Sequence, residues 1–289
     1  MRISTANLQQ RVLRDLQIGL AQLDQARENA SSGRRVLRAS DDPVAATQIL
    51  RTDRDLRAIG QYQRTIGSVR TRLDTEEAVL DQVTDILSRA RELAVSQGTS
   101  SATGESRAIS ALEVDRLLEQ VVALGNTRVG NEFLFAGTAT GVPPMQAGGI
   151  YVGDTTTRRA EIGAGVLVPL PHHGEELFVS SGTVAGLIAL RDALNTNDQS
   201  AILTAIGGLD TAFDRTQGFV ADIGARTRQL DSMAFSHEST NATVLLQRSG
   251  LQDVSLEEAT IRMVGLQTTI QAALLAANRV LTTSLADRL

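Results

Sequence analysis

The run of residues from 43 to 97 restricts the fold of this chain more than any other feature. Apolar side chains recur in it at steps of three and four residues, at Leu56, Ile59, Ile66, Val69, Leu73, Leu80, Val83, Leu87, Ala90 and Ala94. This spacing predicts one amphipathic helix with a near-heptad stripe. Such a helix is about 80 Å long, whereas a compact domain of 289 residues has a radius of gyration of about 19 Å. We therefore predict an elongated rod, shortened only by a break near Gly60 or Gly67.

Both ends of the chain carry the same helical pattern, in residues 8–30 and 251–289. The apolar positions that we assign to assembly are Leu13, Leu16, Leu20, Leu23, Leu266, Ile270, Leu274, Leu281 and Leu285. A lone helix cannot hide faces of this size from water, so each needs a partner, either the opposite end of the chain or another subunit. We predict that the two ends pair and that the remaining apolar face is an assembly surface, in preference to a simple antiparallel bundle.

The middle of the chain changes period. A third helix is predicted over 105–129, followed by short β-type runs at 133–137, 150–153, 160–162, 166–170 and 177–179. Helical spacing returns at 184–194 and continues from 200 to 246. The predicted fold is therefore mainly α, an elongated rod of long antiparallel helices with coiled-coil-like terminal helices and a small β-rich insertion.

One polar cluster precedes the long helix. Ser40, Asp41 and Asp42 can accept hydrogen bonds from free N–H groups of the first helical turn, and Pro43 has the φ required at the first helical position. We predict a helix cap here that also serves as a fixed elbow between two domains.

The composition excludes several kinds of chemistry. The chain has no cysteine and no lysine, which excludes thiol catalysis, cysteine-ligated metals, Schiff bases and a Walker-type lysine. His172 and His173 stand beside two glutamates but are interpreted as a surface loop rather than metal ligands. The adjacent acids Glu76 and Glu77 are interpreted as solvated charge. We predict no enzyme, no cofactor and no metal.

Nucleic acid and membrane are also poor candidates for partners. Residues 1–72 hold thirteen Arg against seven acids, yet aromatic residues make up only 3% of the chain, which leaves little for base stacking. No stretch approaches the roughly 20 apolar residues of a membrane span, and the first 20 residues lack the apolar core of a secretory signal. If the protein is exported, we expect a route that cleaves no signal peptide.

Several motifs resemble those of the bacterial flagellin superfamily. They are Asn-Ala-Ser-Ser-Gly-Arg-Arg-Val at 29–36, Ala-Ser-Asp-Asp-Pro-Val-Ala at 39–45 and Ser-Arg-Ala-Arg-Glu-Leu-Ala-Val at 88–95. Asn-Glu-Phe-Leu-Phe-Ala-Gly-Thr at 131–138, the insertion that begins at 150–154 and the tail 271–289 are more similar to the branch that joins hook to filament than to flagellins. Pro43 also departs from the alanine usual in flagellins.

The resemblance implies a secreted structural protein of the flagellum, exported unfolded by the flagellar type III apparatus and added as a ring between hook and filament. Its implied partners are further copies of itself, the hook-side junction protein (hook-associated protein 1), flagellin and an export chaperone. It also implies three domains: an inner one of 1–42 and 248–289, a helical rod of 43–132 and 183–247, and an outer β-rich one of 133–182. The alternatives are a short flagellin and, in another class, a cytoplasmic coiled-coil adaptor.

Overall fold

The computed structural model describes the backbone of residues 2–286 and the side chains of residue 7 and residues 10–278. The helices are α1 (Arg2–Ser32), α2 (Pro43–Gln97), α3 (Gly104–Gly125), α4 (Thr183–Asn195), α5 (Gln199–Gln252) and α6 (Leu256–Ala286). The strands are β1 (Arg128–Val129), β2 (Glu132–Phe133), β3 (Met145–Gln146), β4 (Ile150–Tyr151), β5 (Arg159–Gly163) and β6 (Val166–Pro169). The prediction of a mainly α fold with a small β-rich insertion is confirmed.

The chain divides into two compact units. The terminal unit comprises the residues up to Ala58 and those from Ser239 onward, and the central unit comprises Ile59–Glu238.

The core of the central unit follows the stripe predicted along the long helix. Leu73, Leu80, Leu87 and Ala94 recur every seven residues and are at most 1% exposed. α2 continues through Gly60 and Gly67 without a break. Against it pack the inner faces of α3, α4 and the first part of α5 in one continuous apolar cluster. The heptad pattern therefore correctly predicted which face of α2 is buried.

The insertion consists of three antiparallel strand pairs, β1 with β2, β3 with β4 and β5 with β6. Its centre is the edge-to-face contact of Phe135 with Phe178, whose ring centroids are 5.4 Å apart. The predicted strand at 177–179 is wrong, because residues Glu175–Ser180 form a π-helical turn. Leu177 and Phe178 are both fully buried, whereas neighbouring residues of a strand point to opposite faces.

The third helix ends earlier than the spacing predicts. α3 stops at Gly125, and Asn126 caps its carboxyl end. The Asn126 side chain exchanges two hydrogen bonds with the backbone of Met145, at 2.8 and 3.0 Å. These bonds to the insertion take residues 126–129 out of the helix and lead them into β1.

In the terminal unit the two end helices pair with each other. α1 packs against α6 in an antiparallel arrangement, because Gly19 lies against Ile270 while the later residue Ala26 shares a small cleft with the earlier residue Ala259. A second cluster of Val36, Ala45 and Ile49 lies where the chain turns into α2. Of the two partners predicted for each end, the structure therefore shows the opposite end of the same chain.

Candidate assembly surface

Helix α6 is apolar on two opposite sides. Ala259 and Ile270 are buried, whereas Ile261, Val264 and Leu275 are 73%, 54% and 68% exposed. At about 100° per residue, positions nine apart, such as 261 and 270, face opposite ways. α1 covers only one of these two sides, so the other is an unpartnered apolar stripe among the described residues.

Helix α1 is also covered incompletely. Leu23 and Ala26 are buried, but Leu13 and Leu20 are 60% and 49% exposed and Ile18 is exposed too. The predicted assembly residues therefore separate into two groups. Leu23 and Ile270 belong to the seam between α1 and α6, while Leu13, Leu20 and Leu274 are exposed.

The remaining predicted positions have intermediate or undescribed environments. Leu16 and Leu266 are half-buried. Leu281 and Leu285 fall outside the residues whose side chains are described. The stripe predicted for assembly thus combines a buried seam with exposed side chains on both of its helices.

The turn before α2 is held by its two aspartates. The Asp42 carboxylate accepts a hydrogen bond from the Ala45 N–H at 2.9 Å and so caps α2. The Asp41 carboxylate accepts from the N–H groups of Leu37 and Arg38, at 3.1 and 2.8 Å. Ser40 is exposed in this turn, and Pro43 is the first residue of α2.

Arg35 connects this turn to the carboxyl-terminal end of α5. Its guanidinium donates to the Asp42 carboxylate at 3.2 Å and to the Leu251 carbonyl at 2.9 Å, and its N–H donates to the Gln252 carbonyl at 2.6 Å. The Ala45 N–H and then the Arg35 guanidinium hold the pKa of the Asp42 carboxyl below its ordinary value. The cap is therefore also a joint between the two segments that lead to α1 and α6.

A buried polar cluster in the central unit overturns two predictions. His172 is 8% exposed and Glu76 is fully buried, so neither is the solvated surface group that we predicted. The Glu76 Oε1 atom lies 2.7 Å from His172 Nδ1 and accepts from the His172 N–H at 3.2 Å. That Glu76 faces inward does not follow from its acidic neighbour Glu77, but it does follow from the position of Glu76 in the heptad stripe.

The far side of the His172 ring contacts α5. Arg226 Nη2 lies 2.9 Å from His172 Nε2, and Arg226 Nε pairs with Asp222 at 2.5 Å. A guanidinium only donates, so Nε2 accepts and Nδ1 carries the proton that is donated to Glu76. This chain of bonds fastens the loop that carries His172 to both α2 and α5.

A metal site and a membrane span are two other kinds of site that a chain could offer. Among the described residues, no group of three or more His, Asp or Glu side chains is placed to hold a metal ion. No helix among the same residues is long and apolar enough to cross a membrane. The exposed apolar side chains of α1 and α6 form the surface that would gain most from contact with a partner, because they are large and in contact with water.

Comparison with known proteins agrees with the motifs. Residues 3–140 match the family of the bacterial flagellin N-terminal helical region. Flagellar hook-associated protein 3 of Escherichia coli is 27% identical over 300 residues, which cover 94% of this chain and 95% of that protein. Along nearly its whole length the chain is therefore similar to a protein of the flagellin superfamily.

Similarity to a flagellin covers less of this chain than similarity to that hook-associated protein. Flagellin FlaB2 of Treponema pallidum is 25% identical over 254 residues, which cover 85% of this chain and 84% of that protein. The fold is also that of a candidate flagellar hook-associated protein of Vibrio parahaemolyticus, with a TM-score of 0.68 and 24% identity over 74% of this chain and all of that one. These findings favour a hook-associated protein over a short flagellin.

Proposed function

We propose that this chain is a structural subunit of the bacterial flagellum at the junction between hook and filament. Apolar side chains that remain exposed on both α1 and α6 carry the proposal. Burial of apolar surface yields about 25 cal/mol per Å², so several exposed Leu, Ile and Val side chains on two helices strongly favour association. The nearly full-length similarity to hook-associated protein 3 indicates where that association takes place.

The same exposed faces account for the partners that we propose. Further copies of this chain would cover them within a ring, with hook-associated protein 1 on the hook side and flagellin on the filament side. Before export, a flagellar chaperone would cover α6, which carries more of the described large exposed apolar side chains than α1 does. Export would follow the flagellar type III route, without a cleaved signal peptide, and no catalysis is part of the role.

The domain division predicted from the sequence belongs to this proposal. Residues 1–42 and 248–289 would form the inner layer, residues 43–132 and 183–247 the rod, and residues 133–182 the outer part. The capped turn at Asp41 and Asp42 would set the direction in which the chain leaves the inner layer. Arg35 supports this role because it ties the turn to the last residues of α5, at Leu251.

Complementation tests the proposal in cells that lack their own hook-associated protein 3. The test variant replaces Leu13, Leu20 and Leu274 by Ser, and the matched control replaces Val142, Ile150 and Leu167, which are equally exposed in the insertion. The wild type and the control should restore filaments seen by electron microscopy, whereas the test variant should release flagellin into the medium. Filaments formed with the test variant, or none with the wild type, would overturn the proposal.

A seeding experiment separates the junction role from the flagellin alternative. Purified wild-type protein is added to filament seeds in ammonium sulfate and the products are measured by electron microscopy. The proposal predicts that seeds are not extended. Long fibres made of this protein alone would establish it as a filament protein instead.

A further inference from the structure

A row of four exposed carboxylates runs along the middle of α2. Asp74, Glu77, Asp81 and Asp85 follow one another at steps of three and four residues, which places them on one face of the helix. Among the described side chains none of the four has an ion-pair partner. Like charges at this spacing repel one another within a helix, so the row, called the acidic row below, does not serve the stability of α2.

The arginines nearest to the acidic row pair elsewhere. Arg70 contacts Asp231 of α5 at 2.8 Å, and Arg72 contacts Glu132 of β2 at 2.5 Å. Basic groups are therefore available beside the row but are used to hold other elements of the central unit. This leaves the row's negative charge for a partner outside the chain.

An opposite row lies in the first half of the same helix. Arg51, Arg54, Arg57 and Arg64 recur at steps of three and seven residues, are exposed, and form no ion pair with the residues whose side chains are described. Asp53 is engaged by Arg248 at 3.0 Å, so Asp55 is the single acid in this stretch that remains to oppose them. We call these four arginines the basic row.

We propose that the basic row of one copy docks on the acidic row of a second copy of this chain. This inference rests on the proposed function, because it names the surface by which neighbouring subunits recognise each other outside the apolar layer. Within one copy the two rows lie at different heights of the same helix and cannot meet. The basic row of one copy can, however, lie against the acidic row of another copy, because both rows have four charges at helical spacing. Exposed charges separated by more than about 8 Å are screened at physiological salt, so the rows act only in direct contact and set which neighbour is accepted.

Cross-linking tests the contact directly, because the chain has no cysteine of its own. Ala58→Cys places a thiol beside the basic row and Ala78→Cys places one beside the acidic row, at exposed alanines that leave every charge in place. The control pairs Ala58→Cys with Ser200→Cys, an exposed position at the start of α5. The two chains of a pair are mixed and treated with a short bismaleimide.

The proposal predicts a yield of 58–78 dimers at least about five times that of the control pair at low salt, falling to the control level near 0.5 M salt because the rows are screened there. Equal yields for the two pairs at low salt would overturn it. A yield that exceeds the control but does not change with salt would also overturn it, since the contact would then not be electrostatic.

Charge reversal supplies a second arm. In the Ala58→Cys chain, Arg51, Arg54 and Arg57 are replaced by Glu, and in the Ala78→Cys chain, Asp74, Glu77 and Asp81 are replaced by Arg. Each reversed chain mixed with an unreversed partner should cross-link at the control level, whereas the two reversed chains mixed together should regain the wild-type yield. Circular dichroism verifies that the helices are intact, and failure of the reversed pair to recover would contradict the proposal.

The result separates this inference from the proposed function. If the wild type restores filaments in cells but shows no preferred 58–78 cross-link, only the charge rows are wrong. If the wild type fails to restore filaments while the cross-link forms and responds to salt, the junction role is wrong and the self-contact remains.

Discussion

The two compact units of this protein differ in how much of its apolar surface each one buries within itself. Among the described side chains, 37 buried apolar residues belong to the central unit and seven to the terminal unit. Large exposed apolar side chains among the same described residues are divided almost evenly, ten in the central unit and twelve in the terminal unit. The terminal unit thus exposes more large apolar side chains than it buries.

Similar secondary structure therefore does not imply that a unit can bury its apolar faces without another subunit. Both units are built from long amphipathic helices, but the central one surrounds its apolar stripe on several sides with α3, α4, α5 and the insertion. In the terminal unit the described residues of α1 and α6 pack mainly against each other. A helix packed on one side buries apolar area whose free energy barely exceeds the conformational entropy lost on ordering the helix. We therefore infer that contacts with other subunits cover the remaining apolar faces of the terminal unit.

The largest expected effect on stability concerns the core of the central unit. Leu73→Ala removes a fully buried side chain and should cost about 3 kcal/mol of unfolding free energy, which lowers the thermal midpoint by about 10 °C for a domain of this size. Leu20→Ala, at a half-exposed position of the terminal unit, should cost less than about 1 kcal/mol. Differential scanning calorimetry measures both losses. Similar losses would contradict the claim that the central unit depends on its buried apolar side chains more than the terminal unit does.

A smaller loss is expected from the buried histidine. His172→Ala removes the ring Nδ1 donor and leaves the buried Glu76 carboxylate with only the backbone N–H of residue 172, which should cost about 2 to 3 kcal/mol in urea unfolding. His173→Ala is the matched control, since His173 is half-buried beside it and should cost less than about 1 kcal/mol. If the two substitutions cost the same, the Glu76–His172–Arg226 chain would not stabilise the central unit.

The smallest effect is a pH dependence of the first turn of α2, in the terminal unit. The pKa of Asp42 is lowered in the folded protein, so its stabilising contribution is fully present above its unfolded value of about 3.9 and is lost as the pH falls through the lower, folded value. Below about pH 4, the amides of the first turn of α2 should therefore lose protection from hydrogen exchange.

Asp42→Asn provides the control for that dependence. It keeps an oxygen that can accept from Ala45 but has no charge to lose, so its protection should not change between pH 5 and 3, a window set by the ordinary pKa of aspartate, about 3.9. A wild-type protein whose first turn of α2 behaves like Asp42→Asn would show that the carboxylate is not what holds the turn.

Local signals predicted the helices well. α2 begins at Pro43 and ends at Gln97 as predicted, because a capping aspartate followed by proline and a glycine after the last turn are readable from neighbouring residues alone. The end of α3 could not be read in this way. It depends on bonds between Asn126 and Met145, which lie nineteen residues apart.

The pairing of Glu76 with His172 in the buried polar cluster was missed for the same reason. The steps along α2 place residue 76 on the stripe between Leu73 and Leu80, so an inward carboxylate there was a readable signal. Its partner His172 comes from a loop ninety-six residues away, and spacing carries no information about such a pairing. The apolar faces of α1 and α6 were predicted, but which leucines lie in the seam and which face solvent depends on the crossing of the two helices.

Hydrogen exchange followed by mass spectrometry, on the free protein and on protein incorporated into flagella, tests the central claim most directly. We expect the amides of α1 and α6 to exchange fast in the free protein and to become protected by at least about a hundredfold on incorporation, while buried segments of the central unit around Leu73 and Leu87 stay protected in both states. Strong protection of α1 and α6 in the free protein, equal to that of the central unit, would contradict the claim that the terminal unit is completed only by assembly.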